Sequence, residues 1–116
     1  MAQKGSEMPD FGSPFSGMEL GRMMTKDELL SAVRFMLAAE LEAIQIYRQV
    51  ATATDDPAAK KLIENIANEE VVHAGEFETL AAQLSPEDAK LIEEGASEAQ
   101  DKMGTAVRAA MANRRT

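Results

Sequence analysis

Residues 69–76, "EEVVHAGE", contain the chain's only histidine, His73, three positions after Glu70. On either side of them apolar residues recur at a three-four spacing: Ala59, Ile63 and Ile66 before, Phe77, Leu80 and Leu84 after. Glu70 and His73 occupy the two places where that period calls for apolar side chains. Residues i and i+3 of an α-helix share a face, so the stretch reads as an amphipathic helix whose inward stripe is broken by two metal-ligand types. Glu69 falls on the flank of the same helix.

The preceding segment carries the same kind of interruption. Leu29, Val33, Met36 or Leu37, Leu41, Ile44, Tyr47 and Ala51 follow a three-four spacing, and between Met36 and Ile44 the stripe passes through Glu40. Local signals set the limits of both helices. Thr25 followed by Glu28 is a capping box, so the first helix starts there and runs to "TATDDP". Asp55 or Asp56 before Pro57 gives a cap with proline in the first turn, which opens a second helix over about 57–83. "SPED" at 85–88 repeats the device for a third helix, along which Ala89, Ile92, Ala96, Ala99, Met103, Ala106 and Ala110 form a heptad-like stripe of mostly small residues. That stripe suits close packing on other helices. Gly95 and Gly104 each cost about 1 kcal/mol relative to alanine and are expected to split or bend this helix. The first 24 residues have four glycines, two prolines and three serines but no period, and read as a flexible arm with Phe11, Phe15 and Met18 able to dock on a neighbour. The expected division is an arm over 1–24 and a helical domain over 25–116. The fold class is all-α: an antiparallel hairpin plus a C-terminal helix.

Composition narrows the function. With 116 residues, 45% of them hydrophobic, the chain suits one small domain but is short for burying a large core alone, so a partner chain is expected to complete the burial. A net charge of −8 repels nucleic acid and anionic lipid and attracts cations. No apolar run reaches membrane-spanning length and no signal peptide is legible at the start, which gives the expectation of a soluble, cytoplasmic protein. There is no cysteine, so a metal would have to sit on carboxylate and imidazole. Eight methionines are read as core filling and loose-segment residues rather than copper ligands. The basic "ANRRT" complements the dipole at a helix C-terminus.

An unpaired carboxylate buried in a helical seam costs several kcal/mol unless it takes up a proton or meets a cation. Glu40, Glu70 and His73, in phase on two antiparallel helices, meet that need together by holding a divalent metal. One Glu on one helix with Glu-x-x-His on the next is half of a di-metal carboxylate site in a four-helix bundle. A two-fold axis through the site supplies the second half from another copy, giving four carboxylates and two imidazoles. Oxygen and nitrogen donors in such numbers suit iron or manganese better than structural zinc. A plainer reading has Glu40 and Glu70 reach the surface and His73 sit as a satisfied core residue, and the competing function is a non-enzymatic helical dimer or adaptor whose inward acids are structural.

"AAELEAIQIY", "ATDDPAAKKLI" and "ANEEVVHAGEFETL" resemble the encapsulated ferritins, short members of the ferritin-like superfamily, and more distantly the rubrerythrins, over roughly residues 25–94. The resemblance implies a ferritin-like four-helix core formed on dimerisation, with two iron ions per dimer, a ferroxidase that turns Fe(II) into Fe(III) with oxygen or peroxide, and dimers assembled into a ring, a decamer. It also implies residence in an encapsulin nanocompartment and iron storage or detoxification there. It places the metal ligands on Glu40, Glu70 and His73, a tyrosine beside the site on Tyr47, and a weaker acidic position where iron enters on Glu42. Ala39 stands where some relatives have another acid, and "AAMANRRT" departs from the short Gly/Leu-containing tail of many encapsulin cargoes. The lack of cysteine removes the thiolate iron centre of rubrerythrins, while a rubrerythrin-like peroxide scavenger stays as a rival on the same di-metal site.

Overall fold

The structure, a computed structural model, describes residues 21–114, so the expected docking of Phe11, Phe15 and Met18 lies outside the described residues. Three helices follow one another: α1 (Lys26–Ala53), α2 (Pro57–Leu84) and α3 (Pro86–Arg114). No strand occurs among the described residues.

Each helix begins where a side chain can take up the free N–H groups of its first turn. At α1 the Thr25 hydroxyl accepts from the Glu28 N–H at 3.1 Å, and the Glu28 carboxylate accepts from the Thr25 N–H at 2.9 Å. Arg22, just upstream, closes on the same carboxylate with two hydrogen bonds of 2.6 and 2.7 Å. Its guanidinium, helped by the Thr25 N–H, holds the largely buried Glu28 carboxyl down at about 2, against an ordinary 4.5. At α2 one Asp56 oxygen accepts from the N–H groups of Ala58 and Ala59 at 3.0 and 3.1 Å, ahead of Pro57. At α3 the Ser85 hydroxyl accepts from the Asp88 N–H at 3.3 Å, with Glu87 and Asp88 in the first turn.

The described chain divides into two compact units at Leu84 and Ser85. In the first, α1 and α2 pack on each other as a hairpin across the short link 54–56. The Lys60 ammonium donates to the Ala51 carbonyl at 3.1 Å, tying the start of α2 to the end of α1. The seam is narrow. Its buried apolar residues are Ala32, Val33, Ile44, Ala51, Ala67 and Ala74, of which Val33 is the largest that is fully enclosed. Alanines let two helices approach closely but remove little apolar area from water. The hairpin accordingly leaves Leu29, Met36 and Leu41 exposed, although periodicity placed them on the inward stripe: a two-helix contact is narrower than the apolar face of either helix.

The second unit is α3, which runs unbroken through Gly95 and Gly104, contrary to the expected split or bend. A single glycine weakens a helix without removing a backbone hydrogen bond, unlike proline. Ile92, Met103, Val107 and Met111 are exposed along it.

Candidate metal centre

Glu40 and Glu70 lie the same number of residues before and after Asp55 at the turn, so an antiparallel hairpin brings them to one level, roughly 22 Å along the helices at about 1.5 Å per residue. His73 follows Glu70 by one turn on the same face. One donor atom from each of the three lies within 4.8 Å of the others. The His73 Nδ1 is 3.7 Å from a Glu70 oxygen and 4.0 Å from a Glu40 oxygen.

These separations are too long for direct hydrogen bonds but fit an intervening ion. A first-row divalent ion holds nitrogen and oxygen donors at about 2.0–2.2 Å, so two donors on one ion stand no more than about 4.4 Å apart, a limit that both His73 distances meet. The carboxylates and imidazole are also the donor set that a hard or borderline metal takes. Among the described residues no other group of three such side chains is gathered in this way.

The three side chains differ in exposure, and the sequence did not foresee how. The Glu40 and Glu70 side chains are 21% and 19% exposed, the imidazole 50%. His73, expected to project inward, stands at the open edge of the seam because α1 reaches only as far as the two carboxylates. Helical spacing puts Leu62, Ile66 and Leu80 on the His73 side of α2 and Leu29, Met36 and Tyr47 on the Glu40 side of α1. Leu29, Met36, Leu62 and Leu80 are exposed, while Ile66 and Tyr47 are half-buried. The helix faces that carry the cluster thus also bear apolar residues, Met36 one turn from Glu40 and the others two or three turns from Glu40 or His73. Tyr47 sits two helical turns after Glu40. Glu42 and Glu69 are exposed and lie outside the cluster. The surface depression lined by Gln45, Arg48, Gln49, Thr52 and Ala53 contains none of these ligands.

A carboxylate on one helix with Glu-x-x-His on the next is the ligand pattern of ferritin-like helix bundles. The chain belongs to the rubrerythrin family within that class: the family's model matches residues 32–110. It is 36% identical over 80 residues to a ferritin-like-encapsulin shell fusion protein of Pyrococcus furiosus, an alignment covering 69% of this chain and 23% of that protein. It is 39% identical over 77 residues to the encapsulin nanocompartment cargo protein EncC of Myxococcus xanthus, covering 66% of this chain and 58% of the relative. The chain thus spans about a quarter and under three fifths of the length of these two curated relatives. The crystal structure of the encapsulated ferritin domain from Pyrococcus furiosus superposes with a TM-score of 0.69 at 35% identity, covering 72% of this chain and 85% of that one. No helix among the described residues is long and apolar enough to cross a membrane.

Proposed function

We propose that two copies of the chain join at the open side of the Glu40, Glu70 and His73 cluster and oxidise Fe(II) to Fe(III) there. The observation that carries this reading is the half-set itself: three ligand atoms within 4.8 Å, the imidazole half exposed, and exposed leucines and methionine on the same helix faces. A second copy related by a two-fold axis adds the same three ligands and covers those apolar residues.

Iron is the substrate. Fe(II) is drawn in by the net charge of −8, with Glu42 on the exposed side of α1 as an acidic position on the way. Glu40, Glu70 and His73 of each copy would hold the two ferrous ions. Each ion gives one electron, and with two protons a dioxygen molecule becomes hydrogen peroxide. The carboxylates favour the product because two additional positive charges are better compensated by anionic oxygen ligands than by water. Tyr47 lines the approach to the site from α1.

Relatives named as a shell fusion protein and a nanocompartment cargo protein support a place for this chain beside an encapsulin shell. In that arrangement the chain performs the oxidation and the shell holds the ferric product, so the isolated protein, fed iron stepwise in air, soon loses ferric iron as precipitate. The match to the rubrerythrin family also favours a test of peroxide as the oxidant. Anaerobic loading with Fe(II), followed by oxygen in one cuvette and hydrogen peroxide in another, decides between them. A fast rise of ferric absorption with oxygen supports the ferroxidase, and a rise with peroxide alone supports the scavenger. No rise with either leaves the adaptor reading.

A further inference from the structure

Outside the Glu40, Glu70 and His73 cluster, a run of apolar side chains without cover lies along α3. Ile92, Ala96, Ala99, Met103, Ala106 and Ala110 recur at a strict four-three spacing, and all are exposed, Ile92 at 71% and Met103 at 60%. A strict seven-residue repeat is the period of a two-helix coiled seam. A helix of this length gains most of its stability in water from packing of such a stripe rather than from propensity. We propose that α3 pairs with α3 of a second copy, antiparallel, with the two helices crossing near Asp101.

Two independent features of the sequence select this occupant and this direction. The first is charge. Up to Asp101 the helix carries Glu87, Asp88, Glu93, Glu94, Glu98 and Asp101 against the single Lys90; beyond it come only Lys102, Arg108 and Arg114. An antiparallel pair sets the acidic half of each helix beside the basic half of the other, whereas a parallel pair sets acid beside acid. At interaxial distances of about 8–10 Å these fields are only partly screened at physiological salt.

The second feature is size. In an antiparallel heptad pair each layer joins the two different seam positions of the repeat, one from each helix. Centred near residue 101, the layers place Ile92 on Ala110 of the partner subunit, Ala96 on Ala106 of the partner subunit, and Ala99 on Met103 of the partner subunit. Each large side chain meets an alanine, the alternation that fills a helix seam at native density. In a parallel pair Ile92 would meet its own copy, Met103 its own copy, and the alanine layers between them would be left thin. Gly95, which has open space where a Cβ would lie, does not limit this approach.

The absence of cysteine makes the proposal testable by disulfide trapping in the full chain. Ala96→Cys and Ala106→Cys chains, distinguished by tags of different mass, are mixed, allowed to exchange and exposed to a thiol oxidant. A disulfide needs Cα atoms within about 7 Å. In the proposed register position 96 faces position 106, while two copies of position 96 are about 15 Å apart along the axis at 1.5 Å per residue. The expected result is a covalent mixed dimer as the main product and little cross-linking of either chain alone. Efficient cross-linking of Ala96→Cys with itself overturns the antiparallel direction. Absence of the mixed dimer, with both thiols reactive and helicity unchanged by circular dichroism, overturns the pairing and leaves the stripe to a different partner. A second variant, Met103→Glu, places a charge in the seam. It should lower the assembly size in sedimentation while the iron oxidation at the hairpin is retained, and an unchanged size would count against the proposal. Because Met103 lies outside the metal cluster, failure of this pairing and failure of the ferroxidase reading are separate results.

Discussion

The hairpin and α3 are helices of nearly equal length with three-four apolar stripes, yet they differ in what interrupts the stripe. In α1 and α2 the stripe is broken by Glu40, Glu70 and His73, and those breaks converge within 4.8 Å. In α3 the stripe runs unbroken, its residues are mostly small, and charge is sorted along the helix instead. Polar residues placed in an apolar period mark chemistry, because only a bound cation or a proton justifies their desolvation. A clean heptad with sorted charge is the pattern on which the proposed α3 pairing rests.

The comparison breaks most visibly at the cluster. Glu70→Ala and His73→Ala are each expected to lower the initial rate of Fe(II) oxidation by more than about 100-fold, beyond the loss typical of removing an outer-shell partner of a metal ligand, with helicity by circular dichroism unchanged. Glu69→Ala, one residue away but exposed, should stay near the wild-type rate. Equal losses from Glu69 and Glu70 would show that helical phase does not select the ligands. The apo form of Glu70→Ala should be at least as stable as wild type to heat, since an uncompensated carboxylate has been removed from the seam. Dilution should act next. Metal binding and association are linked when each copy supplies only half the ligands, so iron affinity by titration should weaken as protein concentration falls through the dimer's dissociation range.

The Arg22 clamp on Glu28 gives a smaller effect with a defined pH window. The folded carboxyl lies at about 2 and its ordinary value is 4.5; lowering a carboxyl's pKa on folding stabilises the fold where the group is ionised in both states. The contribution is therefore present in full above about pH 4.5 and is lost as pH falls through about 2. Arg22→Ala should lower Tm at pH 7, and the gap from wild type should narrow between pH 4.5 and pH 2. A constant gap would mean that the arginine acts by packing alone. The smallest effect belongs to α3: Gly95→Ala, with open space for the added methyl, should stabilise by about 1 kcal/mol and raise Tm by a few degrees.

Helix limits were legible because caps are local. Thr25 with Glu28, Asp56 before Pro57, and Ser85 before Pro86 each declare a first turn within four residues of chain, and α1, α2 and α3 begin there. The clustering of Glu40, Glu70 and His73 was legible for a different reason: period and distance from the turn together fix both face and level in a hairpin. Exposure was not legible. Periodicity states that Leu29, Met36 and Leu41 belong to an apolar face but not how much of that face one neighbouring helix covers. The half-open His73 follows from the same narrow seam. Arg22 was missed because it stands before the helix, six residues from Glu28, where no periodic rule applies. The unbroken α3 shows that glycine's local cost is small against the ladder of a long helix.

Subunit mixing shows whether one metal centre is built from two chains. Wild-type and His73→Ala chains are combined at fixed total concentration, allowed to exchange, and the oxidation rate is measured against the wild-type fraction. A centre shared across a two-fold axis is complete only when both copies are wild type, so the rate should follow the square of that fraction, with about one quarter remaining in an equal mixture. A straight-line decline, with about one half remaining, would show that each chain carries a complete centre of its own and would contradict the account.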